Sequence, residues 1–218
     1  MVLDNPIWSA LTTVHSGLAI EEGKGVRYPA EIAPFIAVAE EGVPLPPPDQ
    51  ERYGIGPQPA APAGWRVEPL GRVVQMVCDG PLPESRGPQV VPVTDPAPVL
   101  ELTALVYPHY FRRRTMELGR YFGVIEGGRL AAMIGERMAL PGVREVSAVC
   151  THPDFAGRGL ARHLLAFLTN DLLQRRQQPF LHVSPDNTRA LELYRRSGYR
   201  VRAEPVFWAL RPLGLAAR

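Results

Sequence analysis

Between residues 156 and 162 the chain reads AGRGLAR, directly after the apolar run VSAVC (146–150) and directly before leucines at 160, 164, 165, 168 and 172. That leucine spacing is helical, so Gly157 and Gly159 stand where a strand hands over to the first turn of a helix. First-turn amides have no intrahelical partner and carry partial positive charge, so they bind phosphate when no side chain blocks the approach. Gly157, Gly159 and Ala161 clear that approach, and the loop is suited to wrap a diphosphate with backbone amides. The chain contains neither G-x-x-x-x-G-K-[ST] nor G-x-G-x-x-G, which excludes those two nucleotide-binding motifs. A second group lies in SPDNTRALELYRRSGYR (184–200), where Asp186 or Asn187 can cap a helix that Gly198 ends. Asn187 and Tyr194 are seven residues apart, so they project from one side of that helix about 10 Å apart and can flank a long, thin ligand.

These residues need a scaffold, and the punctuation from residue 88 onward supplies one. QVVPVT predicts a strand, PAPVLELTALVY a helix, and RTMELGRYF a second helix running into the strand YFGVIE. Gly127 and Gly128 then turn the chain into RLAAMIGERM, which makes a hairpin. REVSAVC follows as a strand, then the glycine loop and its helix, PFLHVS as a strand, TRALELYRRS as a helix, and YRVRAEPVFWAL as one or two strands. This order predicts an α/β fold with a mixed central sheet and helices on both faces. Of the 24 prolines, 17 precede residue 101, and VPLPPPDQ (43–50) and GPQPAAPAGW (56–65) cannot form regular helix or central strand. Before residue 88 the sequence offers a short helix within 5–20 and a strand at GRVVQMVC (71–78). The expected organisation is a small Pro-rich amino-terminal lobe, 1–87, followed by the main domain, 88–218.

The strand VSAVC, the loop AGRGLA, a helix, the strand PFLHVS and then N-x-x-A-x-x-L-Y-x-x-x-G-Y together resemble the GNAT superfamily of N-acetyltransferases, and more narrowly its glycine N-acyltransferase branch. The resemblance spans about residues 88 to 211. It implies acetyl-CoA as co-substrate and an amine, on a small molecule or a protein, as acceptor. Val149, Cys150 and Thr151 would then bind the pantetheine arm through their backbone, and Gly157, Arg158, Gly159, Leu160 and Ala161 the diphosphate, with Arg162 and Asn187 beside them. Tyr194 falls at the position whose phenol protonates the departing thiolate. Glu145, counted back from Ala156, falls where histone acetyltransferases of the superfamily place their catalytic base, and strand alternation puts it on one face with Ser147 and Val149 and opposite Cys150. Ala156 departs from the Gln or Arg usual there; weakened cofactor affinity is the expectation, with Arg158 or Arg162 compensating.

Composition narrows the field further. Residues 1–100 hold 6 basic and 12 acidic residues, and residues 101–218 hold 18 and 10, so the carboxy-terminal half is suited to an anion. Two cysteines and five scattered histidines offer no metal-ligand spacing, so no metal is expected. No apolar run reaches a membrane-spanning length, and the expected protein is soluble and cytoplasmic, with a homodimer compatible. Cys150 reads as a small buried residue, His152 before Pro153 as a turn former, and FRRRT (111–115) as a solvated helix face, with Tyr110 and Phe111 bordering the acceptor site by resemblance. Two rival readings stay open: a regulatory module that binds acyl-CoA without turnover, which Ala156 favours, and nucleic-acid binding by the arginine-rich half. Nucleic acid and membrane are not the expected partners.

Overall fold

The computed structural model describes residues 1–83, 86–106 and 111–214. Helix α1 (Pro6–Leu11) opens the chain and is followed by strands β1 (Ile20–Glu22), β2 (Gly25–Arg27), β3 (Ile36–Val38), β4 (Arg52–Ile55), β5 (Trp65–Arg72), β6 (Val74–Val77) and β7 (Val91–Pro92). Helix α2 (Pro96–Val106) leads to β8 (Tyr121–Glu126), β9 (Arg129–Leu140) and β10 (Val143–Thr151). Then come α3 (Leu160–Gln174), β11 (Gln178–Val183), α4 (Thr188–Arg196), β12 (Arg200–Ala203) and β13 (Val206–Pro212). A mixed seven-stranded sheet in the order β12-β6-β11-β10-β9-β8-β7 forms the centre, and only its β10/β11 pair is parallel.

The leucine pattern after the glycine loop does what its spacing predicts. Leu164, Leu165, Leu168 and Leu172 of α3 pack with Leu191 and Tyr194 of α4 against Met76, Ile134, Val146 and Leu181 on one face of the sheet. Each leucine buried this way contributes about 1.5–3 kcal/mol. The other face carries α1, through Ile7 and Leu11, and α2, through Val99 and Leu102. Helices therefore cover both faces, as the element order predicts.

Several details differ from the sequence reading. The helix expected over RTMELGRYF is a single 3-10 turn, Thr115–Leu118. The Thr115 hydroxyl bonds Ile32 O at 2.7 Å and accepts from Arg112 N, and Gly119 is extended against Glu136, so the chain is already committed to the sheet. The strand expected over QVVPVT keeps two paired residues, because Pro88 and Pro92 lack donors and confine it to the sheet edge. YRVRAEPVFWAL gives two strands that part at Pro205 and enter different sheets.

Strand pairing runs across the boundary expected after residue 87. Strand β6 lies inside the central sheet, between β11 and β12, while β13 leaves it to pair with β4 and β5 in a three-stranded sheet. The amino-terminal region and the rest of the chain thus exchange strands, and they share the cluster in which Ile7, Tyr28 and Phe35 meet Met138 and Phe180. Proline density marks irregular loops and says nothing about which sheet the intervening strands join. Among the described residues no helix is long and apolar enough to cross a membrane.

His15 sits at this shared core with its Nδ1 2.8 Å from the Tyr28 hydroxyl, and burial, aided by Arg144, lowers its pKa from 6.5 to about 4. The unfolded chain takes up this proton near pH 6.5 and the folded chain only near 4, so unfolding binds protons within that window. Stability should therefore fall as pH drops from 6.5 towards 5, before most carboxylates titrate. Urea midpoints followed by circular dichroism check this, and His15→Phe should flatten the slope.

Candidate active site

The parallel pair β10/β11 is joined only at Val143↔Gln178, Arg144↔Pro179 and Glu145↔Phe180, and beyond these the two strands separate. On its other edge β10 steps three residues, Ser147 to Cys150, while β9 steps two, Gly135 to Met133. This is a bulge, and Ala148 within it has φ 52, a left-handed conformation that costs a non-glycine residue about 1–2 kcal/mol. It also resets which way side chains point. Val149 packs with Val146 against the α3 and α4 cluster, whereas Cys150 packs with Tyr121 and Met133 on the opposite face. Strand alternation had put Val149 with Glu145 and Cys150 opposite; the extra residue reverses both. Burial pushes the Cys150 thiol up to about 11, which suits its apolar packing role.

At the separated end of β10 a groove of about 440 Å³ brings the two sequence motifs together. Val149 and Thr151 form one wall, the loop from Ala156 to Arg162 the floor, and Asn187 and Tyr194 of α4 the other wall. Gly157 and Gly159 have φ of 78 and 75, and a Cβ on either would meet no atom within 4 Å, so their backbone faces open space. Among the described residues no side chain caps the amino end of α3. Asn187 caps α4 by accepting from Ala190 N at 3.1 Å, and Tyr194 is 8% exposed with its ring 6.0 Å from that of Tyr199. Arg158 turns aside to a bidentate pair with Glu126 at 2.6 and 3.0 Å, leaving Arg162 and Arg189 as cations for the groove.

The remaining candidates settle differently. Glu145 is fully buried; Arg137 Nε and Nη2 donate to its two oxygens at 2.7 and 2.6 Å, and His182 Nδ1 donates at 2.8 Å. Burial alone would raise its pKa, but Arg137 and His182 hold it down to about 2. A carboxylate so held is a weak proton acceptor, and this pairing speaks against the base role expected of Glu145. His152 caps a 3-10 turn by accepting from Asp154 N through Nδ1, and its Nε2 lies 2.8 Å from Arg129 Nη2. Phe111 packs edge-on to Tyr121, while Tyr110 lies outside the described residues. Much of the carboxy-terminal positive charge is taken up in ion pairs, including those of Arg114, Arg120, Arg137, Arg158 and Arg211. Among the described residues no cluster of three metal-ligating side chains occurs.

Residues 121–208 match the family model described as FR47-like protein. A GNAT-family protein from Novosphingobium aromaticivorans, known from its crystal structure, is 33% identical over 97% of this chain and 99% of its own, with a TM-score of 0.84. This chain belongs to the GNAT family. A GCN5-related N-acetyltransferase from Kribbella flavida, 17% identical with 96% of each chain covered and a TM-score of 0.62, shares the fold. One from Sphaerobacter thermophilus is 22% identical over 67% of this chain and 53% of its own, with a TM-score of 0.51. No curated protein matches in sequence. The near-complete overlap with the Novosphingobium protein includes the amino-terminal region, so in this GNAT protein that region is part of a shared architecture.

Sequence reasoning missed a second cavity, of about 360 Å³, where Arg137, His182, Val183 and Ser184 meet Phe35, Arg72 and Phe207. From its His182 a chain of hydrogen bonds runs inward: Gln75 Nε2 donates to Leu3 O at 2.9 Å and to His182 Nε2 at 3.0 Å, and Gln75 Oε1 accepts from Arg202 at 2.8 Å. PFLHVS carries one faint signal, a histidine among apolar strand residues, but its partners are distant in the chain. Glu145→Gln should leave Arg137 without its counter-charge and destabilise the fold by about 3–5 kcal/mol, read as a lower urea midpoint. An unchanged midpoint combined with lost turnover would return Glu145 to the base role.

Proposed function

We propose that this GNAT protein transfers an acetyl group from acetyl-CoA to an amine by direct attack, without a covalent enzyme intermediate. The observation that carries the reading is the uncapped amino end of α3, opening through Gly157 and Gly159 into the same groove as Asn187 and Tyr194. The groove fits such a donor. It carries Arg162 and Arg189, and among the described residues no carboxylate lines it to repel a diphosphate. Backbone amides of residues 159–162 would hold the diphosphate, and the edge of β10 left bare beyond Glu145 would pair with the amide-bearing arm as a strand would. Acetyl-CoA supplies the activated acyl group as a thioester.

The chain's own part is to orient and to move one proton. Tyr194 is positioned by α4 at the inner wall, where its hydroxyl can hand a proton to the departing sulfur. Burial of Tyr194 against Leu191 and Tyr199 fixes the ring and keeps water from that side. With Glu145 tied to Arg137, the incoming amine loses its proton to solvent and not to this carboxylate.

Tyr194→Phe should lower turnover by about 10²-fold while leaving coenzyme A affinity unchanged, measured by thiol release and calorimetry. Gly159→Val should instead weaken coenzyme A binding, because a β-branched residue resists this left-handed backbone and its side chain would project into the groove. Binding without thiol release from any amine would favour the regulatory module; no binding at all would remove the donor reading.

A further inference from the structure

The second cavity lies beside the gap between β10 and β11, lined by the separated end of β11 through His182, Val183 and Ser184. The groove assigned above to the donor lies beside the same gap, lined by the separated end of β10 through Val149 and Thr151. An acyl group placed in the gap is thus approachable from the second cavity. Half of that cavity's lining comes from the amino-terminal region: Phe35, Ile55, Leu70, Arg72 and Val73.

The charges there are one-sided. Among the described residues no aspartate or glutamate lines the cavity. Arg137 is neutralised by Glu145, but Arg72 is exposed at the rim, with its Nη1 donating to Glu204 O at 2.6 Å and no carboxylate paired to it among the described residues. The rest of the surface is mostly apolar, with Phe207 stacked on Tyr53 at 5.7 Å beside Ile55 and Leu70. A polyamine or a lysine-rich peptide would bring more positive charge to a wall without counter-charge. An amine whose far end is an anion would meet the guanidinium, whose planar fork fits a carboxylate or a phosphate. A volume of about 360 Å³ suits a small molecule.

We infer that the amino-terminal region is the acceptor-recognition wall of this enzyme, and that the acceptor is a small amine with an apolar or aromatic body and an anionic group held by Arg72. This rests on the donor reading above and adds the substrate class to it. Glycine lacks the body, phenethylamine lacks the anion and spermidine has neither, so these three define the class from outside.

Calorimetry with 4-(2-aminoethyl)benzoate and with tyramine O-phosphate, in the presence and absence of coenzyme A, tests binding independently of turnover. At least one of the two should bind, and be acetylated, about 10- to 100-fold better than phenethylamine, glycine or spermidine. The arm that binds identifies the anion as carboxylate or phosphate. Arg72→Ala should erase the preference over phenethylamine while coenzyme A affinity holds, and Leu70→Trp, at a half-buried strand position, should block the aromatic amines by filling the cavity. Equal handling of phenethylamine or spermidine, an unaltered preference in Arg72→Ala, or no binding of either anionic amine would overturn the inference. Loss of coenzyme A binding is a separate result that strikes only the donor reading.

Discussion

Two parallel strands that pair for three residues and then separate are the constraint on which this molecule turns. A parallel pair is normally continuous and buried, because its unmatched amides and carbonyls are costly away from water. Here β10 and β11 leave those groups bare past Glu145, and a bulge at Ala148 on the other edge of β10 bends the strand away. The opening holds because both strands are anchored on their remaining sides, β10 to β9 and β11 to β6. Backbone polarity that would be a defect in an ordinary sheet is left open here beside the groove.

The anchoring explains why the amino-terminal region cannot be detached from the rest. β6 holds the outer edge of β11, and β13 crosses over to complete a sheet with β4 and β5. Trp208 of β13 is fully buried in the cluster with Ile36 and Val38, tying the last strand to the first quarter of the chain. The two cavities beside the opening are consequently built by different parts of the sequence. The groove belongs to the loop, α3 and α4, and the second cavity belongs largely to residues 35–73 and 207.

Electrostatics follow the same division. The buried Glu145 is expensive to desolvate, and Arg137 and His182 answer that cost at hydrogen-bond distance. Their network crosses the sheet through Gln75 to Arg202 and Asp4, so the polar interior beneath the second cavity is braced from the chain's first residues. Positive charge that looks like an extended basic surface in the sequence is largely consumed by neighbouring carboxylates, and the cations left facing the cavities are few.

By itself the sequence determined the local features: the glycine loop, the leucine stripe of α3, a helix start at Asp186 or Asn187, the Asn187–Tyr194 spacing and the hairpin at Gly127–Gly128. Each depends on residues within two or three helical turns or one strand, where periodicity and backbone sterics act directly. Only the tertiary structure decided that β6 enters the central sheet, that Cys150 shares a side with Glu145, and that Glu145 is bound by Arg137 and His182. A one-residue bulge inverts every later side chain without leaving a compositional mark, because Ala148 is an ordinary residue in an unusual conformation. Strand pairing and buried ion pairs join residues far apart in the chain, such as Phe180 with Val77 and His182 with Glu145. Such contacts are selected by the packing of the whole core, which no local window of sequence contains.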